Sequence, residues 1–220
     1  MSRQLGLYFV LAIVFVAGLL FVLNQLAGIM STATQQAQAV DFTNNSISAV
    51  LREEPPQLDS SKATDSTSGL VLGHIMEGLL RMDLQDRLGP AIAERWEVTP
   101  THATFWLRDD AKWSDGEPIT AADFIFAWQL ALKPETGSEY ASLLYPIENA
   151  EAINSGKLAA SELGVSAPNP QTLVVKLARP IAFFDKLVVF PTFLPIREDF
   201  YNATQGRFGS DAEELLYSGP

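Results

Sequence analysis

The chain has 220 residues, 26 acidic and 15 basic, and a formal net charge of −11. An acidic excess of this size argues against nucleic acid or an anionic membrane surface as the main partner, because both repel a negatively charged protein. The sequence contains no cysteine, which excludes disulfides and cysteine metal sites. Apolar residues make up 47% of the chain, enough for a hydrophobic core, and the length predicts one or two domains.

The N-terminal segment is an apolar run from Leu5 to Leu23 that follows one basic residue, Arg3. At ~1.5 Å per residue, a helix of this length approaches the ~30 Å core of a bilayer, which favours an uncleaved membrane anchor. Small residues at Ala37 and Ala39 fit instead the cleavage site of a signal peptide. Both interpretations stay open, and both place everything after Val40 outside the cytoplasm, because the positive charge stays inside.

The next residues predict a spacer, one strand and one helix. Residues 31–45 lack apolar periodicity, which is typical of a flexible connection. Ile47–Leu51 predicts a short buried strand, and Pro55–Pro56 ends it because proline removes a backbone donor. Thr67–Leu80 predicts a helix with apolar residues on adjoining faces, and His74 on that helix is interpreted as a core or interface residue.

The central part of the chain predicts a β-hairpin. Trp96 and Val98 stand at strand spacing before the turn-forming residues 99–102, and Phe105 and Leu107 stand at the same spacing after them. This pattern indicates two strands with one buried face.

A tight turn and a helix follow the hairpin. Asp115 and Gly116 are the residue types that a tight turn requires. Thr120 is placed to cap a helix at Ala121–Leu132, with Asp123 in its first turn. Apolar residues recur along this helix at helical spacing, so it is expected to pack on the hairpin.

The remaining pattern predicts several short elements. They are helices at Tyr140–Leu144, Glu148–Ser155 and Phe183–Phe190, a loop at Ser161–Pro170 and a buried strand at Thr172–Leu177.

No constellation in the sequence indicates an enzyme, a cofactor or a metal. The two histidines, His74 and His102, have no partner at ligand spacing. Asp109 and Asp110 are adjacent, whereas a pair of glycosidase carboxylates faces across a cleft about 5–10 Å wide. The tryptophans lie in predicted structural elements, so scaffold packing is the expected role of all four. They are Trp96, Trp106, Trp113 and Trp128.

Four segments carry a family resemblance. They read AxRWEV from Ala93, FxLRxDAKWSDG from Phe105, PITAxDFxFAW from Pro118 and YASLLYPIxNAEAINSGK from Tyr140. In this order and spacing they resemble the oligopeptide-binding proteins, extracytoplasmic solute-binding proteins that feed ABC importers. The resemblance extends from about Val50 to the last residue and implies that the chain is an N-terminal fragment.

The resemblance implies a fold and a domain plan. The fold is mixed α/β and periplasmic-binding-protein-like (type II, oligopeptide-binding subclass), incomplete and preceded by an N-terminal hydrophobic helix. Residues 1–40 are then a signal peptide or anchor plus spacer, and residues 41–66 are the first segment of a large lobe. Residues 67–196 form an accessory domain, and residues 197–220 return to the large lobe.

The same resemblance implies the site residues. It places Glu54, with its neighbours Glu53 and Pro55, at a ligand cleft beside the backbone of a bound peptide. It also matches Tyr140 to a family tyrosine that contacts the ligand. The alternatives, that the glutamates are surface carboxylates and that Tyr140 is a packing residue, stay open.

The expected function is capture of oligopeptides by closure of two lobes, followed by delivery to an ABC permease in the inner membrane. The protein is expected to be periplasmic, or tethered to the inner membrane if the N-terminal helix is uncleaved. One alternative is a receptor for a narrower ligand, such as a murein peptide, a dipeptide or a metal chelate. The others are a membrane-anchored fragment without a transport role and, third, an enzyme.

Overall fold

The computed structural model describes residues 15–25, 40–41, 43–44, 46–48, 50–51, 53–211 and 214–219. The chain divides into two compact units, Met1–Leu51 and Arg52–Pro220.

The first unit contains a helix and a small ribbon. Residues 15–25 are helical (α1), and all their side chains are exposed. The strands β1 (Val40–Asp41) and β2 (Ser46–Ile47) pair antiparallel. The Asp41 carboxylate accepts the amide N–H of Thr43 at 2.9 Å, which supports the turn between the strands.

Two predictions for the first unit fall partly outside the described residues. Residues 5–14 of the apolar run, and the cleavage site at Ala37–Ala39, are among those that the structure does not describe. In the part that it does describe, no helix combines the length and the apolar character needed to cross a bilayer. The predicted buried strand at Ile47–Leu51 is wrong, since β2 ends at Ile47 and Val50 is 98% exposed. A ribbon of two short strands is too narrow to bury a face.

The second unit combines antiparallel strands with short helices. Its helices are α2 (Ser66–Ile75), α3 (Ala121–Leu132), α4 (Ala150–Asn154), α5 (Phe184–Leu187) and α6 (Glu198–Ala203). Its strands are β3 (Leu80–Met82), β4 (Leu88–Pro90), β5 (Ala93–Val98), β6 (His102–Leu107), β7 (Val165–Asn169) and β8 (Thr172–Lys176). Short 3₁₀ turns lie at Pro134–Thr136, Ala141–Leu144, Ala160–Glu162 and Pro191–Phe193.

The main sheet has four antiparallel strands in the order β5-β6-β8-β7. The predicted hairpin is confirmed: Trp96 lies opposite Phe105, and the Thr99 N–H donates to the His102 carbonyl at 2.8 Å. Phe105 and Leu107 are buried, whereas Trp96 and Val98 are half-buried. The buried face therefore centres on the interior strands β6 and β8.

The helix α3 begins and ends at the predicted residues. The Asp123 carboxylate caps it by accepting the Thr120 N–H at 2.7 Å and the Thr120 hydroxyl at 3.2 Å. The cap was expected from the hydroxyl, but the carboxylate supplies it. Burial raises the pKa of Asp123, although these hydrogen bonds oppose the shift.

A cluster of buried aromatic rings joins α3 to the sheet. Trp128 packs edge-on against Phe193 at a centroid distance of 5.4 Å, and Phe193 packs in turn on Phe184. Phe105 of β6 reaches Phe184 at 6.4 Å. The indole N–H of Trp128 donates to the Phe193 carbonyl at 3.0 Å, so its one polar group is satisfied. We call this cluster the α3 core.

Packing of both buried and half-exposed tryptophans agrees with the scaffold role predicted for them. Trp113 and Trp128 are buried. Trp106 is half-exposed, and the Arg95 guanidinium lies 3.5 Å from its ring centroid, a stabilising cation–π contact.

In the second unit one predicted helix is confirmed but ends early, and one predicted loop contains a strand. The helix predicted at Thr67–Leu80 ends at Ile75. The Gly78 and Leu79 carbonyls accept the N–H groups of Ile92 and Ala93 instead, which draws this backbone away from the helix. The loop predicted at Ser161–Pro170 contains β7, an edge strand on which proline is tolerated because one side of the strand is unpaired.

Three predicted helices are shorter than expected. Tyr140–Leu144 holds only the 3₁₀ turn Ala141–Leu144. Glu148–Ser155 holds only α4, because Asn149 has a φ of 69°, which a helix does not allow. Phe183–Phe190 holds only α5. The strand predicted at Thr172–Leu177 is confirmed as β8, which ends at Lys176, but only Leu173 and Val175 are buried in it.

Candidate ligand-binding segment

Residues 53–56 form a largely exposed segment of backbone near the start of the second unit. Glu53 and Glu54 are exposed and Pro55 is half-buried. A residue that precedes proline is held in an extended conformation, so Glu54 and Pro55 are both extended. Among the described residues, no hydrogen bond engages the main chain of Glu54 or Pro55. The N–H of Glu54 and the carbonyls of Glu54 and Pro55 therefore have no partner in the part of the chain that the structure describes.

The two glutamates of this segment differ in their surroundings. The Glu53 carboxylate accepts a long hydrogen bond, 3.5 Å, from the hydroxyl of Thr67 in the first turn of α2. The Glu54 side chain is exposed and has no hydrogen bond or ion pair with the described residues.

A buried turn anchors the segment on its C-terminal side. Asp59 is fully buried, and its Oδ1 accepts the Ser61 N–H at 2.9 Å and the Ser61 hydroxyl at 2.6 Å. The Lys62 ammonium lies 3.3 Å from Oδ2 of the same carboxylate. These bonds fix the turn at residues 59–63.

The turn contacts residues near the C-terminal end of the chain. The Leu58 N–H donates to the Gly209 carbonyl at 3.0 Å. Gly209 has a φ of 72°, and a Cβ there would lie 2.2 Å from the Asp59 nitrogen, so only glycine fits. Further on, the buried Ser218 hydroxyl donates to the Glu77 carbonyl at 3.0 Å and accepts the Glu77 N–H at 2.9 Å. We call the contact of Leu58 and Asp59 with Gly209 the Gly209 junction.

Tyr140 lies far along the chain from this segment. It precedes the Ala141–Leu144 turn, is 36% exposed, and packs edge-on against Phe190 at 5.4 Å. Phe190 is itself 42% exposed. The pair is a partly open aromatic surface, so Tyr140 packs and remains accessible at the same time.

The structure does not join the predicted site residues by direct bonds. Among the described residues, no hydrogen bond connects Glu53, Glu54 or Pro55 with Tyr140. Their role in binding stays a prediction. Sequence reasoning missed Phe190 as the exposed partner of Tyr140, because it was assigned to a helix, and it missed Gly209, because a close backbone approach leaves no local pattern.

The histidine and aspartates that were considered for catalysis or metal binding do not form such a site in the structure. His74, expected in the core or at an interface, is exposed, and its Nδ1 lies 2.7 Å from the Leu70 carbonyl. Asp110 is paired with Arg108 at 3.0 Å, beside exposed Asp109. Within the described ranges, no group of three histidine or acidic side chains is arranged to hold a metal ion.

Arg197 and Arg108 each bridge two carboxylates. Arg197 contacts Asp115 at 2.7 Å and Asp199 at 2.6 Å, and Arg108 also contacts Glu77 at 2.7 Å. Pairs this close to solvent contribute roughly 0–1 kcal/mol each. They position loops more than they stabilise the fold.

Comparison with known proteins adds independent findings. The sequence model described as "Bacterial extracellular solute-binding proteins, family 5 Middle" matches residues 87–220. The chain is 36% identical to the oligopeptide-binding protein OppA of Bacillus subtilis and 37% identical to the probable deoxycholate-binding periplasmic protein YgiS of Escherichia coli. These alignments cover 77% and 76% of this chain but 32% of each relative.

A solved structure agrees with these sequence comparisons. The substrate-binding domain of an oligopeptide ABC transporter from Bacillus anthracis superposes with a TM-score of 0.76 at 41% identity, over 78% of this chain and 34% of that one. The chain thus spans about a third of the length of the relatives that it matches. It belongs to the bacterial extracellular solute-binding proteins of family 5, and its mixed helix-and-sheet fold is the fold of that family.

Proposed function

We propose that the chain supplies one wall of the ligand cleft of an exported receptor that captures oligopeptides for an ABC permease in the inner membrane. The observation that carries this proposal is the extended backbone at Glu54–Pro55, which has no hydrogen-bond partner among the described residues. An extended peptide presents donors and acceptors at strand spacing and can add to such a backbone as a further strand. Membership of the solute-binding family, and a relative named for oligopeptide binding, support it.

In this proposal main-chain atoms of the receptor provide affinity for a peptide without selecting a particular peptide sequence. The N–H and carbonyl of Glu54 meet the peptide backbone, and Tyr140 contacts the ligand from the accessory part of the chain. Residues 41–66 are the first segment of a large lobe and residues 197–220 return to it, which the hydrogen bond of Leu58 to Gly209 supports. Residues 67–196 form the accessory domain. The peptide favours the closed arrangement of two lobes only through its greater affinity for that arrangement. The closed form then docks on the permease.

A pair of variants tests the main-chain contact. Glu54→Pro removes the N–H at this position, whereas Glu54→Ala keeps it and removes only the carboxylate. Calorimetry on the complete gene product with mixed tri- to pentapeptides is expected to show saturable binding. Loss of one hydrogen bond to a buried ligand should weaken it about tenfold in Glu54→Pro and much less in Glu54→Ala. If both variants bind peptide with the same affinity as the parent, this segment is not part of the binding site.

The same titration separates the alternatives for the ligand. Acetylation of the peptide amino terminus should weaken binding if the protein recognises the terminal ammonium. Saturation by a murein tripeptide or a dipeptide, with no response to the mixed pool, would indicate the narrower receptor instead.

We also propose that the apolar run at residues 5–23 directs export, which leaves everything after Val40 outside the cytoplasm. The family description as extracellular proteins supports this. N-terminal sequencing of protein from the cell envelope is expected to begin at Val40 if the signal is cleaved and at the first residues if it anchors the chain. Recovery from the cytoplasm alone would contradict both forms.

A further inference from the structure

A concave pocket lies where the end of α2 meets β3 and the segment after α5. Its volume is about 480 Å³, within the range of about 300–1,000 Å³ that is typical of small-molecule sites. It has no lining residue in common with the Glu53–Pro55 segment or with Tyr140. Buried Met76, Leu80 and Leu194 form its apolar floor. Methionine adapts to ligands of different shape because its side chain is unbranched and polarisable.

Of the two charged residues that line this pocket, only Arg81 has no partner of opposite charge among the described residues. Glu77 lines it, but the Glu77 carboxylate is engaged by Arg108 at 2.7 Å. Arg81 lines it too and is exposed, and no acidic side chain of the described residues pairs with it. A guanidinium that is free beside an apolar floor matches a carboxylate, which it can bind through two parallel hydrogen bonds.

The orientation of His74 adds a second polar feature. A carbonyl only accepts, so the contact of Nδ1 with the Leu70 carbonyl at 2.7 Å requires the proton on Nδ1. This leaves Nε2 as the free ring nitrogen of a residue that also lines the pocket. Nε2 accepts a hydrogen bond from a ligand when the ring is neutral and donates one when it is protonated.

We propose that this pocket, the α2–β3 pocket, binds an amphipathic monocarboxylate. The apolar body lies on Met76, Leu80 and Leu194, and the carboxylate meets Arg81. The pocket shares no lining residue with the Glu53–Pro55 segment or Tyr140, and the inference does not depend on the proposed function.

A charge-reversed pair of ligands tests the chemistry on the complete gene product. Decanoate is expected to bind saturably in calorimetry, whereas decylammonium, which has the same chain and the opposite charge, should bind at least tenfold more weakly. Equal binding of the two would overturn the proposal, and so would the absence of saturable decanoate binding.

Two matched pairs of variants locate the site. Arg81→Gln should weaken decanoate about tenfold or more, while Arg179→Gln, at an exposed arginine outside the pocket, should not. Gly73 lines the pocket, and a Cβ at this position would have no atom within 4 Å, so Gly73→Leu can fill the pocket without a clash. Gly69 is equally open, lies one helical turn earlier and does not line the pocket, so Gly69→Leu is its control.

The expected result is loss of decanoate binding in Gly73→Leu, with Gly69→Leu and peptide binding unchanged. If Arg81→Gln and Gly73→Leu both bind decanoate like the parent, the pocket is not the site. If decanoate and peptide compete and both weaken in Glu54→Pro, decanoate occupies the peptide cleft and the proposal fails.

Discussion

The α3 core and the Gly209 junction hold the second unit together by different means. In the α3 core, large apolar side chains exclude water, and one indole hydrogen bond satisfies the polar atom buried with them. In the Gly209 junction, main-chain atoms approach so closely that a single Cβ has no room. Core packing tolerates small changes of shape at a graded cost, whereas a backbone approach at this distance tolerates none.

The largest expected loss of stability follows from a substitution in the Gly209 junction. Gly209→Ala places a Cβ against the Asp59 nitrogen and also strains a positive φ, so it should lower the free energy of unfolding by about 4 kcal/mol. Gly206 has a similar φ, 89°, with nothing within 4 Å of a Cβ. Gly206→Ala should therefore cost only about 1 kcal/mol. Urea unfolding followed by circular dichroism measures both, and equal costs would show that the close approach is unimportant.

The next largest loss of stability is expected from a substitution in the α3 core. Trp128→Phe removes volume and leaves the Phe193 carbonyl without its donor, so we expect a loss of about 2–3 kcal/mol. Trp106→Phe, at a half-exposed ring that stacks with Arg95, should cost less than about 1 kcal/mol. If the two substitutions cost the same in urea unfolding, burial of the α3 core is not what distinguishes these tryptophans.

The smallest effect concerns the cap of α3 and appears as a dependence on pH. Because the pKa of Asp123 is raised by burial, the folded protein holds this proton more tightly than the unfolded chain does. The resulting stability is fully present below the unfolded pKa and is lost as the pH rises through the folded pKa. Asp123→Asn keeps an acceptor for the Thr120 N–H but does not ionise.

The stability of Asp123→Asn relative to the parent should therefore increase between about pH 3 and pH 7. Free energies of unfolding measured side by side across this range check it. A difference that stays constant, or that falls, would show that the hydrogen bonds from Thr120 outweigh burial.

The elements that sequence reasoning placed correctly have strong local signals. The hairpin has alternating apolar residues and a turn whose residues bond to one another, and α3 has a cap and a continuous apolar stripe. The elements that it placed wrongly lack such signals or are overruled by distant partners. Gly78 and Leu79 leave the helical path because Ile92 and Ala93 offer main-chain donors to their carbonyls.

The candidate site was reached from the sequence only through a family resemblance. The prolines at residues 55 and 56 do predict an extended Glu54 from local chemistry. Nothing local indicates that Glu53, not Glu54, is the carboxylate that meets Thr67, or that Phe190 is the partner of Tyr140. No local pattern indicates either that Arg81 lies beside an apolar pocket floor without an acidic partner among the described residues.

The sequence by itself determined the acidic charge, the apolar N-terminal run, the hairpin, the helix α3 and the family. These properties depend on composition and on spacings of a few residues, which are present in the chain before it folds. The tertiary structure alone decided where α2 ends, which strand lies at the edge, why Gly209 must be glycine and that Arg81 has no acidic partner among the described residues. Those properties depend on groups that are distant in sequence and meet only when the chain is packed.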